Sequence, residues 1–129
     1  MAEPLTGDRL LDGLIQRLVA AQPAHDGVPR EGTSLYYAPA VVKKIWAAAK
    51  ALGYGRYFVD RESGTLIDDH LYVNQYAGIP TADIIDYDER RSNGFPDSWH
   101  TVGDTMDKID KATLEAVGRT VLAVVRGER

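Results

Sequence analysis

Apolar residues recur at helical spacing near the start of the chain. The segment 8–21 carries its apolar residues on one side and polar residues on the other, which is typical of an amphipathic helix. Asp8 or Thr6 is suited to cap its N-terminus, and Pro23 is expected to end it. The apolar face consists of Leu10, Leu11, Leu14, Ile15, Leu18 and Val19.

Two further helices are predicted at residues 39–52 and 111–126 from the same spacing. Pro39 is favourable in a first helical turn, and Gly53 is favourable just after a last one. Asp110 is expected to cap the last helix. The residues that this last helix is predicted to bury are Leu114, Val117, Val121, Leu122 and Val125.

The remaining segments predict short strands and two loops. Runs of strand-forming residues at 56–60 and 81–87 flank a short helix predicted at 70–77. Proline and glycine make residues 22–35 a predicted loop, and residues 88–106 form a long loop without periodicity. Alternation of helices and strands favours an α/β fold, with a small, mostly parallel sheet and flanking helices.

Length and composition agree with a single folded domain over residues 1–129. A chain of 129 residues with 44% hydrophobic residues can bury a core without covalent cross-links. The absence of cysteine excludes disulfides, zinc–thiolate sites and a cysteine nucleophile. The net charge of −4 and the lack of a long basic block argue against nucleic acid or an anionic membrane as a partner.

Two clusters of polar residues contain side chains that are suited to catalysis or ligand binding. In Asp68-Asp69-His70, two carboxylates and an imidazole suit a metal site or a proton relay, although helix capping by an aspartate explains the same residues. In the long loop, Trp99-His100 follows a predicted strand, where open α/β sheets bind ligands. A loop histidine bonded to a nearby carboxylate is the alternative for His100.

The order of these motifs resembles one family. Residues 30–125 are similar to the C-terminal half of zinc aminopeptidases that share their fold with glutaminyl-peptide cyclotransferases. The matching motifs, in chain order, are Asp68-Asp69-His70, Ala77-Gly78-Ile79-Pro80, Asp83-Ile84-Ile85-Asp86-Tyr87-Asp88, Gly94-Phe95-Pro96-Asp97-Ser98-Trp99-His100-Thr101 and Asp104-Thr105.

The resemblance implies a role for each matching polar residue. It implies that His100 is a zinc ligand, that Trp99 lines the substrate pocket, and that Asp68 is catalytic through hydrogen bonds to the substrate. The resemblance implies that Asp69 and Asp104 orient these residues without contacting the zinc or the substrate themselves. The implied fold is part of the zinc-aminopeptidase α/β domain, and the implied cofactor is zinc.

The other zinc ligands of that family lie in an N-terminal half to which residues 1–28 show no likeness. Hydrolytic zinc needs about three protein ligands, so we expect this chain to lack a full site and to be weakly active or inactive alone. The first hypothesis is therefore a fragment or minimal version of a zinc-dependent aminopeptidase-like hydrolase, which cleaves peptide bonds at a free N-terminus. The alternative is a non-catalytic α/β module that self-associates, and a third reading is a binding module that uses a pocket at Trp99.

Partners and location follow as expectations. The resemblance implies a peptide substrate, and the unprotected edge of a small sheet makes a homodimer plausible. The residues Met1-Ala2-Glu3-Pro4 lack the features of a signal peptide, so we expect a cytoplasmic protein, whereas members of the resembling family are often secreted or periplasmic.

Overall fold

The computed structural model describes residues 27–128. The helix predicted at 8–21 lies outside these described residues, as does the first part of the loop predicted at 22–35, which contains His25. Within them, no helix combines the length and the apolar composition that crossing a membrane requires. The elements in chain order are β1 (Val28–Arg30), α1 (Gly32–Tyr37), α2 (Pro39–Ala51), β2 (Phe58–Glu62), α3 (Asp69–Tyr72), a π-helical turn (Val73–Ala77), a 3₁₀ turn (Met106–Lys108) and α4 (Lys111–Gly127).

The sheet of the described residues is a parallel pair of strands. Val28 lies opposite Phe58 and Arg30 lies opposite Glu62, so β2 contains extra residues where the register shifts. The α/β class with a small parallel sheet and flanking helices is thereby confirmed. The prediction of a continuous loop over 22–35 is wrong from Val28 onward, because β1 and α1 form there. Three residues are too few to show a strand period, and the parallel partner lies far along the chain.

The strand predicted at 81–87 is a second correction. All residues from Thr81 to Asp86 are buried, but they form no strand in the structure. At two of these positions a side chain rather than a neighbouring strand accepts from the backbone N–H: Asn74 Oδ1 accepts from Thr81 at 3.0 Å, and Ser34 Oγ accepts from Asp83 at 2.8 Å. The apolar pattern correctly indicated burial, but burial did not require a ladder of backbone hydrogen bonds.

The hydrophobic core lies where α2 and α4 pack together and where α2 meets β2. Trp46 of α2 contacts Phe58 of β2 edge to face, with 5.1 Å between the ring centroids. Its indole N–H donates to the carbonyl of Val59 at 2.8 Å, so the ring is buried without losing its hydrogen bond. The helix predicted at 39–52 is confirmed, and Gly53 adopts the left-handed conformation that ends it, with φ of 82°.

The last helix is confirmed, but its predicted buried face is partly wrong. Asp110 caps it as predicted by accepting from the Thr113 N–H at 3.3 Å. Leu114 and Leu122 are 43% and 47% exposed. The face that packs inward carries smaller residues, namely Thr113, Ala116, Val117, Thr120, Val121 and Val124. Helix α4 packs against α2 through this face of smaller residues, so the bulkier Leu114 and Leu122 lie toward solvent.

Candidate functional site

The motif Asp68-Asp69-His70 opens α3 and divides into two environments. Asp68 caps the helix by accepting from the Asp69 N–H at 2.8 Å. Asp69 is exposed and Asp68 is half-buried, whereas His70 is buried beneath them. The predicted short helix at 70–77 is present as α3 followed by the π-helical turn. The motif therefore contains both a helix-capping aspartate, Asp68, and a buried histidine, His70.

His70 lies between two acidic side chains. Its Nε2 is 2.8 Å from Glu31 Oε1, and its Nδ1 is 3.6 Å from Asp83 Oδ2. Burial by itself would lower the pKa of His70, but the hydrogen bond to Glu31 and the negative charges of Asp83, Glu31 and Asp68 outweigh it and raise the pKa above 6.5. The raised pKa of His70 favours the charged imidazolium form.

Glu31 is the acidic centre of this buried group. It precedes α1 and caps it, accepting from the N–H groups of Thr33 at 2.7 Å and Ser34 at 2.8 Å. Burial alone would raise its pKa, but the bonds from His70, Thr33 and Ser34 lower the pKa from 4.5 to about 2. Glu31 is therefore charged at any physiological pH.

Sequence reasoning missed both Glu31 and Asp83 as partners of His70. Glu31 lies in the segment predicted to be a loop, and glutamate is not a preferred helix cap. Asp83 lies between apolar residues in the segment predicted to be a strand. An acidic residue inside an apolar run is the signal that could have indicated a buried charged partner, because burying an unpaired carboxylate is costly.

Ion pairs order the beginning of the long loop. The guanidinium of Arg90 donates to both oxygens of Asp88, with the shortest distance 2.6 Å, and Arg91 lies 3.1 Å from Asp86. The bonds from Arg90 hold the pKa of Asp88 well below its usual range. The Asp88 N–H also donates to the Gly94 carbonyl at 2.9 Å, which closes a turn.

An aromatic stack continues from this turn to His100. The centroid distances are 5.4 Å for Tyr87–Phe95, 4.3 Å for Phe95–Trp99 and 4.0 Å for Trp99–His100. The last two pairs are stacked nearly face to face, with interplanar angles of 23° and 24°. Gly94 packs directly against the Tyr87 ring, where a larger residue has no space. The imidazole of His100 thus lies at the end of a supported row of rings.

His100 has an unusual backbone conformation. It is exposed, and its φ of 57° is the one positive value among non-glycine residues that the structure describes. Left-handed conformations are uncommon for residues with a Cβ and concentrate at functional sites. The conformation therefore agrees with a role for this imidazole outside the core.

The predicted site residues fall into two groups. Asp68 and Asp69 adjoin each other at the start of α3, and Trp99 and His100 are stacked together in the loop. Asp104 lies further along in an exposed turn, where its N–H donates to the Thr101 carbonyl at 3.1 Å. The predicted roles of these five residues in catalysis and binding stay predictions.

Zinc is the cofactor that the resemblance implies, and a hydrolytic zinc site requires about three protein ligands. Across residues 27–128, no group of three His, Asp or Glu side chains is arranged to hold a metal ion. The imidazole of His70 is engaged by Glu31 and Asp83, which leaves His100 as the exposed imidazole of the described chain. The described residues therefore do not fit a complete zinc site.

Comparisons with solved structures show the class of protein. Glutaminyl cyclases from Tannerella forsythia and Bacteroides thetaiotaomicron, the latter bound to N-acetylhistamine, match with 46% and 48% identity and TM-scores of 0.76 and 0.75. Each match covers 81% of this chain and 36% or 35% of the other. A Zn-dependent exopeptidase from Parabacteroides distasonis matches with 44% identity and a TM-score of 0.74, over 78% of this chain and 34% of that one. The chain thus spans about a third of the length of these structures and shares the α/β fold of this class.

The family follows from the sequence model. Residues 24–125 match peptidase family M28, and the chain belongs to that family. The resemblance on which the implied site rested is thereby confirmed. A comparison with curated proteins finds no match.

Proposed function

We propose that this chain provides part of the peptide-binding surface and one zinc ligand for an aminopeptidase-like reaction at the free N-terminus of a peptide. Membership of a peptidase family supports a hydrolase, and the Zn-dependent exopeptidase among the similar structures supports zinc. The observation that carries the proposal is His100, which is exposed and held in a left-handed conformation at the end of the aromatic stack.

The stack gives each of its last two residues a distinct part. Trp99 is half-buried between the rings of Phe95 and His100, and the part of its indole that stays exposed offers a contact for an apolar side chain of the peptide. His100 offers an imidazole nitrogen as a metal ligand. In this proposal, Asp68 hydrogen-bonds the substrate, and Asp69 and Asp104 support the two segments that carry these groups.

The described residues set a limit on activity. A hydrolytic zinc ion requires about three protein ligands and an open position. Because residues 27–128 contain no such group, we propose that the chain alone is weakly active or inactive. Binding of zinc to a single imidazole is weak, and protons compete for the same nitrogen, so it weakens further as the pH falls.

Titration calorimetry with zinc tests the ligand role. We expect no tight site in the unaltered chain, and we expect His100→Ala to remove most of the weak binding. His25→Ala is the matched control, because it removes a histidine that is not one of the four rings of the aromatic stack. Equal losses in the two variants would show that zinc binds histidines without preference. Stoichiometric zinc that survives dialysis, together with hydrolysis of an aminoacyl chromogenic substrate, would contradict the proposed incomplete site.

Glutaminyl cyclisation is a second candidate, favoured by the glutaminyl cyclases among the similar structures. Both candidates act on an amino-terminal residue, but their products differ. A peptide that begins with glutamine loses ammonia on cyclisation, whereas it loses its first residue on hydrolysis. Mass spectrometry of one such peptide after incubation with the protein and zinc therefore separates the two reactions.

A further inference from the structure

A single buried carboxylate holds both ends of the turn that carries Asp68 and Asp69. Glu31 Oε2 accepts from the Leu66 N–H at 2.8 Å, just before the two aspartates. Glu31 Oε1 bonds the imidazole of His70 at 2.8 Å, just after them. The residues 66–70 are therefore bridged by the two oxygens of one side chain, which lies 35 and 39 positions away along the chain.

This bridge has a rigid base. Glu31 is 0% exposed, and its oxygens together accept from five donors, the N–H groups of Thr33, Ser34 and Leu66, the Ser34 hydroxyl and His70. The Thr33 hydroxyl donates to the Leu66 carbonyl at 2.9 Å, which adds a second attachment at the same end. With water excluded, the carboxylate has no competing partners, so its position is determined by the protein.

The bridge also reaches the segment that leads into the aromatic stack. His70 Nδ1 faces Asp83 at 3.6 Å, and the Ser34 hydroxyl that donates to Glu31 accepts from the Asp83 N–H at 2.8 Å. Asn74 adds a further link, since its side-chain amide donates to the carbonyls of His70 at 2.7 Å and Thr81 at 2.8 Å. The turn at 66–70 and the segment 81–86 are thus attached to one buried group.

We propose that Glu31 and His70 are positioning residues that hold the Asp68–Asp69 turn in one conformation. The proposal rests on the function proposed above for what the turn does, because Asp68 is there assigned to the substrate. A carboxylate and an imidazolium suit this task, since charge-assisted hydrogen bonds are short and directional. The precise placement of a reacting group depends on hydrogen bonds from residues that do not contact the substrate themselves.

Nitrogen-15 relaxation of the unaltered protein gives the first test. We expect order parameters near 0.85 for the amides of Asp68 and Asp69, as in a rigid helix, and slow hydrogen exchange of the Leu66 amide. Order parameters below about 0.6 at the two aspartates would overturn the proposal whatever the variants show.

Glu31→Gln gives the second test. The substituted amide has one acceptor oxygen where the carboxylate has two, so one end of the bridge must be released. We expect the order parameters of residues 67–69 to fall below about 0.6, with at least tenfold faster exchange at Leu66 and no change in α4. Glu115→Gln is the matched control. It removes the negative charge of Glu115, which pairs with Arg119 on the exposed side of α4, and we expect the turn to stay rigid. Unchanged dynamics in a folded Glu31→Gln variant, or an equal loss of protection throughout the molecule, would contradict a positioning role.

A rescue experiment distinguishes a positioning role of the pair from a general contribution to stability. In the double variant Glu31→Gln/His70→Gln, two neutral amides can again hydrogen-bond, so we expect part of the order at residues 67–69 to return. A double variant that is no more ordered than Glu31→Gln would contradict direct pairing. None of these measurements uses zinc or peptide. A rigid turn in a protein whose weak zinc binding does not depend on His100 would therefore reject the proposed zinc-ligand role and leave the positioning role intact.

Discussion

A carboxylate that is completely buried needs several hydrogen bonds to remain charged, and Glu31 has them. Removing one partner of a buried ion pair costs about 3–5 kcal/mol, because the remaining charge is left without compensation. The interaction of Glu31 with His70 is therefore expected to be among the most sensitive single contacts of the described chain.

The same pair predicts how stability depends on pH. The pKa of Glu31 is about 2 in the native protein against 4.5 ordinarily, so its contribution is complete above about pH 4.5 and is lost as the pH falls toward 2. The pKa of His70 is raised above 6.5, so its contribution is complete below about pH 6.5 and is lost as the pH rises through the native value. We expect the pair to stabilise the fold most between these limits. Urea unfolding at about pH 3, 5.5 and 8 measures this, and a midpoint that does not change from 5.5 to 3 would contradict the assignment of Glu31.

Gly94 is a second residue for which the structure predicts a specific effect of substitution. Its φ is 83°, and an added Cβ would run into the Tyr87 ring. We expect Gly94→Ala to cost about 2 kcal/mol or more and to reduce the near-ultraviolet circular dichroism of the aromatic stack. Gly118→Ala is the control, because a Cβ there meets nothing within 4 Å on the exposed side of α4. That change is expected to stabilise the protein by up to about 1 kcal/mol. Equal melting temperatures for the two variants would show that the Tyr87 contact is not restrictive.

At the scale of elements, α4 shows how packing selects a helix face. Periodicity and the Asp110 cap predicted the helix correctly, because both signals are local. Leucine is more apolar than alanine or threonine, so the sequence favoured Leu114 and Leu122 as buried residues. Thr120 is buried instead, since its hydroxyl donates to the Ala116 carbonyl within the helix at 2.7 Å and needs no outside partner.

This orientation is testable by truncating residues on the two faces. Val117 is 1% exposed and Leu114 is 43% exposed. We expect Val117→Ala to cost about 2 kcal/mol, because it leaves a cavity against α2, and Leu114→Ala to cost less than about 1 kcal/mol. Denaturant unfolding gives both values. A larger cost for Leu114→Ala than for Val117→Ala would contradict this orientation of α4.

At the scale of the whole molecule, the segment predicted as a helix at 8–21 requires its own experiment. Burying four leucine side chains contributes roughly 1.5–3 kcal/mol each before entropy costs, which is comparable to the roughly 5–15 kcal/mol that stabilises a domain. We expect deletion of residues 1–22 to yield insoluble or molten protein. An unchanged melting curve would show that the segment is an appendage.

The self-associating alternative is also decided at this scale. Light scattering of the full chain measures its mass in solution. A dimer whose zinc binding does not depend on His100 would favour the non-catalytic module, whereas a monomer would remove its support.

Local signals account for what the sequence by itself determined. Helical periodicity and caps act within a few residues, so α2 and α4 were predicted, and the ordered motifs from Asp68 to Thr105 indicated the peptidase family. The tertiary structure decided which partners meet across long separations. Glu31 joins His70 39 positions away, and side chains replace a strand partner at Thr81 and Asp83. Such contacts depend on which groups lose water together when the chain closes, and no short-range pattern encodes that.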